Sequence, residues 1–384
     1  MFGWEYPPRY TGGLGVATDG LVRGLLSLGV EVTLVLPRPP DGPAAAGLRI
    51  RGPDLRTRSI PSLLSPYLDA PAFRRRAGLH GGYGAELHDE VQRFAEEARR
   101  IAREESFDVI HAHDWMTYPA AGLAAEVSGR PWVAHVHSTE HDRTGGRGDP
   151  FVFETEREGV TRAARVVAVS RYTAGWVARI YGVGPDRLRV VYNAIDSEPG
   201  DDPSSPGREP MVLYAGRLTF QKGPDHLLAA AEIVLRHRPD VRFVLAGIGD
   251  MLPGLLDRVA ELGLGTRILF TGFLEPEDLV SLYRRADVYV LPSVSEPFGL
   301  TVLEALRHGV PVIVSREAGV AEVVHHALKV DFWDSRELAA KILSLLSSST
   351  LREEMVERGR EEIARMSWTQ SARQCLAVYR EIAA

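Results

Sequence analysis

Residues 286–311 read ADVYVLPSVSEPFGLTVLEALRHGVP. Residues 287–291 (DVYVL) are β-branched, aromatic and apolar, the pattern of a short buried strand. Pro292, Ser293 and Ser295 break it, and Gly299 with Leu300 opens an amphipathic helix. Leu300, Leu303 and Leu306 mark its buried face, and Gly309 and Pro311 stop it. Such a strand–loop–helix unit turns the helix N-terminus toward the carboxyl end of a parallel sheet. Open α/β sheets bind their ligands there, and the free amides with the positive dipole end favour anions. Two carboxylates flank that N-terminus, Glu296 in the loop and Glu304 one turn inside the helix. Acids beside an anion site make chemical sense when the ligand also carries hydroxyls for them to accept. A sugar nucleotide has both.

A chain of 384 residues is long enough for two domains, each with its own core. Its 45% hydrophobic and 25% charged residues are ordinary for a globular protein. A net charge of −6 argues against a nucleic-acid footprint. Cys375 is the single cysteine, which excludes an intrachain disulfide and fits a reducing compartment. No apolar run approaches the ~18 residues of a membrane span, and no signal peptide is legible, so a cytoplasmic protein is expected. Of 45 basic residues only Lys222, Lys329 and Lys341 are lysine. A lysine in a glycine-flanked loop of so arginine-rich a chain therefore draws notice, since forks and point charges do different jobs.

Outward from the opening stretch, the chain alternates strands and helices. MFGWEYPPRYTGGLG (residues 1–15) is a glycine-rich loop feeding a helix over 16–28 and a strand in 29–37. Gly12 and Gly13, with Gly15, suit either backbone amides brought close to a diphosphate or a tight turn. Residues 38–60 and 61–84 read as irregular, the first with one strand at most, the second carrying the solvated run Arg74–Arg76. A long helix over 86–104 follows. FDVIHAHDWMT (107–117) and PWVAHVHSTEHDRTGG (131–146) each give a strand ending in His-x-His, with His111/His113 and His135/His137 on one face by period two. Paired histidines at strand ends also raise a metallohydrolase as a second functional class. His111 and His135 suit backbone-satisfied or strand-capping roles. Strand 164–170 and helix 171–181 lead to RVVYNAIDSEPG (189–200), where Asn193 and Asp196 suit turns at a junction. Residues 197–210 (SEPGDDPSSPGREP) hold no apolar anchor and read as a linker. Beyond it, strand 211–215 meets a loop bearing Arg217 and Lys222, then a helix from Pro224. Strand 241–249, helix 253–262, strand 267–274 and helix 276–285 lead into the opening stretch. Residues 310–330 give a strand, a loop and a helix. Helices over 334–347, 351–365 and 367–382 finish the chain.

Five spaced motifs in order resemble the retaining family-4 glycosyltransferases of the GT-B fold, glycogen/starch-synthase-like branch: WEYPP with the glycine loop, STEHDRTGG, VxxNxxD, GRxxxxKG and EPFGLTVLE. The resemblance implies an α/β fold of two Rossmann-like parallel-sheet domains facing a cleft. Residues 1–196 form the acceptor-side domain, 197–210 the linker, 211–366 the nucleotide-sugar domain, and 367–384 a helix returning to the first. It implies that Arg217 and Lys222 grip the diphosphate, with Gly12 and Gly13 and the amides around Phe298, Gly299, Leu300 and Thr301. Glu304 takes the ribose, Glu296 the donor sugar, and His137 points toward the reacting groups. Catalysis is assigned to His137, Glu296, Arg217 and Lys222, with no metal and no cofactor, and the chain has no D-x-D to hold a metal-bound nucleotide. The expected reaction moves glucose from ADP- or UDP-glucose to an α-1,4-glucan end. Lipid, small-sugar or phosphosugar acceptors are the alternatives within the class, and a non-catalytic sugar-nucleotide binder is a third class. Two departures stand out. Family chains carry a strand before the phenylalanine here numbered Phe2, so bare neighbouring edges and an upstream natural start are expected. Tyr10 stands where classical bacterial glycogen synthases have lysine, so donor specificity does not transfer simply.

Overall fold

The computed structural model describes residues 1–7, 12–37, 55–59, 86–196 and 209–383. Arg74–Arg76, Tyr10 and most of the expected linker lie outside them. The chain forms two compact units. One comprises Met1–His141, Gly146–Asn193 and Trp368–Ala384, and the other Asp142–Gly145 and Ala194–Ser367.

In the first unit, helix α1 (Gly13–Ser27) precedes the parallel pair β1 (Val32–Leu36) and β2 (Leu55–Ser59). Helix α2 (Leu87–Glu104) buries Leu87, Val91, Phe94, Ala98 and Ile101, the three-to-four spacing of one helical face. Then come β3 (Ile110–His113), α3 (Tyr118–Ser128), β4 (Trp132–Val136), the short α4 (Glu140–Thr144), α5 (Pro150–Arg162), β5 (Arg165–Ala168), α6 (Arg171–Tyr181) and β6 (Leu188–Val190). Strands β3 to β6 lie side by side in chain order, all parallel. Asp149 and Ser170 cap α5 and α6 through the amides of Phe151 and Thr173. The edges expected to be bare are bridged. Phe2 pairs in parallel with both Val35 and Ala112, its amide donating to the His111 carbonyl at 2.8 Å.

The second unit runs β7 (Met211–Ala215), α7 (Pro224–His237), β8 (Arg242–Ala246), α8 (Leu252–Glu261), β9 (Ile268–Gly272), α9 (Pro276–Tyr283), β10 (Val288–Leu291), α10 (Leu300–Arg307), β11 (Val312–Ser315), β12 (Leu328–Val330), α11 (Ser335–Ser347) and α12 (Ser349–Ile363). Its parallel sheet has the order β12-β11-β10-β7-β8-β9. Central strands β7 and β10 are buried along their whole length, which explains their continuous apolar runs. The helix expected within 310–330 is corrected. Between strands β11 and β12 that segment holds only a 3₁₀ turn, Gly319–Glu322. The Gly319 and Val320 amides donate across to the carbonyls of Glu296 and Phe298, at 2.9 and 2.7 Å, and β-branched Val320, Val323 and Val324 disfavour a longer helix.

The last helix, α13 (Trp368–Ile382), belongs to the first unit and lies on α1. Ala372, Cys375 and Val378 share a core cluster with Leu21, Val22, Leu25, Val133 and Val167. Burial pushes the Cys375 thiol up to about 12, so it serves as a small apolar side chain.

Candidate functional site

The strand order of the second sheet places β7 beside β10, while the chain leaves toward β8 on one side and β11 on the other. A crevice opens at the carboxyl ends of strands where the order reverses in this way. The loops that line it are 216–223 after β7 and 292–299 after β10.

The two loops are fastened to each other. The Gln221 carbonyl accepts from the amides of Val294 (3.0 Å) and Ser295 (3.3 Å). Gly223 sits at φ +60°, and a Cβ there would come 2.3 Å from the Pro292 carbonyl oxygen, so only glycine permits this approach. Arg217 donates to the Gln221 side chain at 2.9 Å, while the Tyr214 hydroxyl holds the Arg217 carbonyl at 2.6 Å. Lys222 Nζ lies 2.6 Å from Glu296 Oε2, which also accepts from Ser293 at 3.2 Å. Both partners are largely buried, their side chains 18% and 7% exposed, so this is no surface ion pair.

Gly299, at φ +107°, turns the chain into α10. The Val302 amide donates to the Gly299 carbonyl at 3.1 Å, and the amides ahead of it precede any intrahelical acceptor, which leaves a donor set at the helix N-terminus. Phe298 and Leu300 are buried side chains, so their contribution to a ligand is confined to the backbone. The Tyr289 hydroxyl lies 2.7 Å from Thr301 Oγ1 and 3.1 Å from the Ala215 carbonyl oxygen, tying α10 to β7. Glu304 accepts from the Tyr283 hydroxyl at 2.9 Å. Burial raises the Glu304 carboxyl, opposed by the Tyr283 hydrogen bond and the Arg307 charge. Two cations, a helix N-terminus and two carboxylates thus share one crevice. Tyr283, Tyr289 and Gln221 went unread in the sequence, because their roles rest on contacts between distant segments.

The first unit carries the other expected site residues. Gly12 is extended and Gly13 begins α1, so the helix expected from residue 16 starts three residues earlier and takes Gly13 and Gly15 into its first turn. All four histidines gather at the carboxyl ends of β3 and β4. His137 Nε2 lies 2.8 Å from His113 Nδ1, and His111 Nε2 lies 3.0 Å from His135 Nδ1. The backbone-satisfied role expected of His111 and His135 is corrected, since their rings pair with each other, and His111 Nδ1 also pairs with Tyr379 at 2.8 Å. Burial, followed for three of them by neighbouring imidazoles, keeps the rings neutral. His137 is pushed down to about 3 and the others fall well below their usual value. Asp114, missed in the sequence, is the one non-glycine residue with positive φ among those described, at +58°. Its carboxylate accepts from the His137 amide at 2.7 Å, so backbone strain is spent on placing that histidine.

Comparison with known proteins identifies the family. The model for Glycosyltransferase Family 4 matches residues 11–199, and that for Glycosyl transferases group 1 matches 200–362. An uncharacterised glycosyltransferase of Methanocaldococcus jannaschii is 30% identical over 99% of this chain and 97% of its own. The alpha-maltose-1-phosphate synthase of Mycolicibacterium smegmatis is 30% identical over 99% and 98%. The glycogen synthase of Mycobacterium tuberculosis is 28% identical over 84% and 79%. Among solved structures, the sucrose-phosphate synthase of Thermosynechococcus elongatus superposes with TM-score 0.77 at 23% identity, over 99% and 95% of the two chains. Anabaena HepE in complex with UDP and glucose gives 0.71 at 19% identity, over 98% of each. With a crevice of this make-up, two parallel Rossmann-like sheets and relatives matched end to end, the chain belongs to the GT-B glycosyltransferases and is a hexosyltransferase.

Proposed function

We propose that the enzyme transfers glucose, with retention, from ADP- or UDP-glucose to the non-reducing end of an α-1,4-glucan, by chemistry that needs no metal at the diphosphate. The observation that carries this reading is the Lys222–Glu296 pair at the mouth of the α10 N-terminus. Within the crevice the two charges neutralise each other. A donor would separate their tasks, Lys222 turning to the diphosphate with Arg217, and Glu296 to sugar hydroxyls. Glu304 then takes the ribose. The bond from the anomeric carbon to the diphosphate oxygen breaks, and the bond from that carbon to the acceptor oxygen forms. The acceptor proton passes to the departing phosphate, on which fixed cations stabilise the growing charge. His137, held by Asp114 and His113, serves the acceptor side.

The glycogen synthase among the relatives supports a glucan acceptor. The α-maltose-1-phosphate synthase, matched over nearly its whole length, supports a second reading in which the acceptor is a sugar phosphate. Transfer from each donor, with EDTA present, onto maltooligosaccharides, glycogen and glucose 1-phosphate decides. Extension of the glucans supports the first reading and a disaccharide phosphate the second. Donor hydrolysis with neither product excludes both acceptors.

A further inference from the structure

His111, His113 and His135 form a cluster that is given no contact with donor or acceptor in the proposed transfer, His113 bearing on it only through His137. Strands β3 and β4 are in parallel register, with His113 opposite His135, so alternate residues of neighbouring strands share one face. The three rings are 3%, 0% and 3% exposed. Their centroids are 4.6 Å apart for His111–His113, 5.1 Å for His111–His135 and 5.3 Å for His113–His135. One nitrogen from each ring lies within 4.8 Å of the other two. Imidazoles bound at about 2.0–2.1 Å around a tetrahedral zinc hold their ring centroids about 5 Å apart, so the spacing fits. A second observation is independent of the spacing. Nε2 of His113 and Nε2 of His135 are both buried and have no hydrogen-bond partner, against the rule that interior polar atoms are paired.

We propose that His111, His113 and His135 form a buried site for a divalent late-transition-metal ion, with zinc as the occupant. The orphaned Nε2 atoms of His113 and His135 supply two ligands, and His111 exchanges its bond to His135 for the metal. Two of the rings also have a partner behind them, in the place where a carboxylate, carbonyl or water orients ligating imidazoles elsewhere. Tyr379 lies 2.8 Å from His111 Nδ1, and His137 lies 2.8 Å from His113 Nδ1. Neutral imidazole is the ligating form, so metal uptake should weaken as pH falls. An all-imidazole set suits zinc, copper or nickel and disfavours magnesium or calcium. The ion would join β3 to β4 and, through Tyr379, hold α13 in place. Its role is structural, on a different unit from Arg217, Lys222, Glu296 and Glu304.

The test is made on the full chain, unfolded in guanidinium with EDTA and refolded with zinc or without. Zinc content after gel filtration and the Tm are measured. About one zinc per chain and a Tm higher by about 5 °C or more are expected. Cobalt in place of zinc should give the visible ligand-field bands of a tetrahedral nitrogen-rich site. His113→Gln and the pair His111→Gln/His135→Gln should lose both metal and bands. A folded wild-type chain that holds no zinc and shows no Tm response overturns the proposal. So does stoichiometric zinc retained by the folded variants, which would place the ion elsewhere. If the variants do not fold, wild-type zinc content and the cobalt spectrum decide alone.

Discussion

At the scale of single residues, the Lys222–Glu296 pair ties function to stability. Lys222→Ala would leave Glu296 buried without its counter-charge, at a cost of about 3 kcal/mol. The same change removes a cation where charge develops and should lower kcat about 10²–10³-fold. Lys222→Met combined with Glu296→Gln removes both charges. It should regain most of the lost Tm while activity stays down, and recovery of activity with Tm would remove Lys222 from the diphosphate. Glu304 has the opposite balance. Burial raises its carboxyl, so the folded chain holds this proton to higher pH than the unfolded chain does. Below the ordinary value of 4.5 both states are protonated and the cost is absent. It grows as pH rises through that value and is complete above the raised folded pKa. Glu304→Gln should therefore melt higher than wild type at neutral pH, with no advantage at about pH 3.5, while the donor KM rises about tenfold. Unchanged KM would contradict the ribose role. The charged members of the site could be read from their motif. Tyr283, Gln221 and Asp114 could not, because a phenol aimed at a carboxylate 21 residues away leaves no periodic trace.

At the scale of elements, periodicity located most strands and helices, whereas the close approaches between them depend on glycines whose purpose shows only in three dimensions. Gly24 on α1 is one. A Cβ there would lie 2.4 Å from the Trp368 carbonyl oxygen, and backbone cannot rotate aside as a side chain can. Gly24→Ala should force α13 off α1 and cost about 1–3 kcal/mol in urea unfolding. Gly175→Ala on α6, where an added Cβ meets nothing within 4 Å, should be neutral or slightly stabilising. Equal midpoints for the two variants would show that the α1–α13 contact carries no such constraint. Gly299 acts at the donor crevice instead. Its φ of +107° strains any L residue, and a Cβ would press on Leu291 and Val320 at 3.1 and 3.2 Å. Gly299→Ala should tilt the first turn of α10, weaken ADP and UDP binding by calorimetry about tenfold or more, and cost about 1–3 kcal/mol. The 3₁₀ turn at Gly319–Glu322 was misread as a helix for a related reason. Its amides pair with the loop bearing Glu296, a tertiary partner that local propensity does not encode.

At the scale of the whole molecule, the chain builds one unit, passes through the second and returns to finish the first. The two halves should therefore behave differently when separated. Residues 209–367 hold a complete six-stranded sheet and every side chain proposed to grip the donor, from Arg217 to Glu304. Expressed alone, they should melt cooperatively and bind ADP or UDP, yet transfer no sugar, since the role proposed for His137 is left unfilled. Residues 1–196 alone lack Ala372, Cys375 and Val378, which the intact chain packs against Leu21, Val22 and Leu25. They also lack Trp368, buried against Gly20 and Gly24. Stripped of α13, that core face lies open to water, and the fragment should aggregate or lose cooperative melting. Fusing residues 368–384 after residue 196 through a flexible glycine–serine linker should restore a cooperative transition, because the helix needs proximity to α1 and no part of the second sheet. A 1–196 fragment that melts like its fused counterpart would show that α13 covers the core without stabilising it. The chain's return would then answer to something other than the first unit's stability.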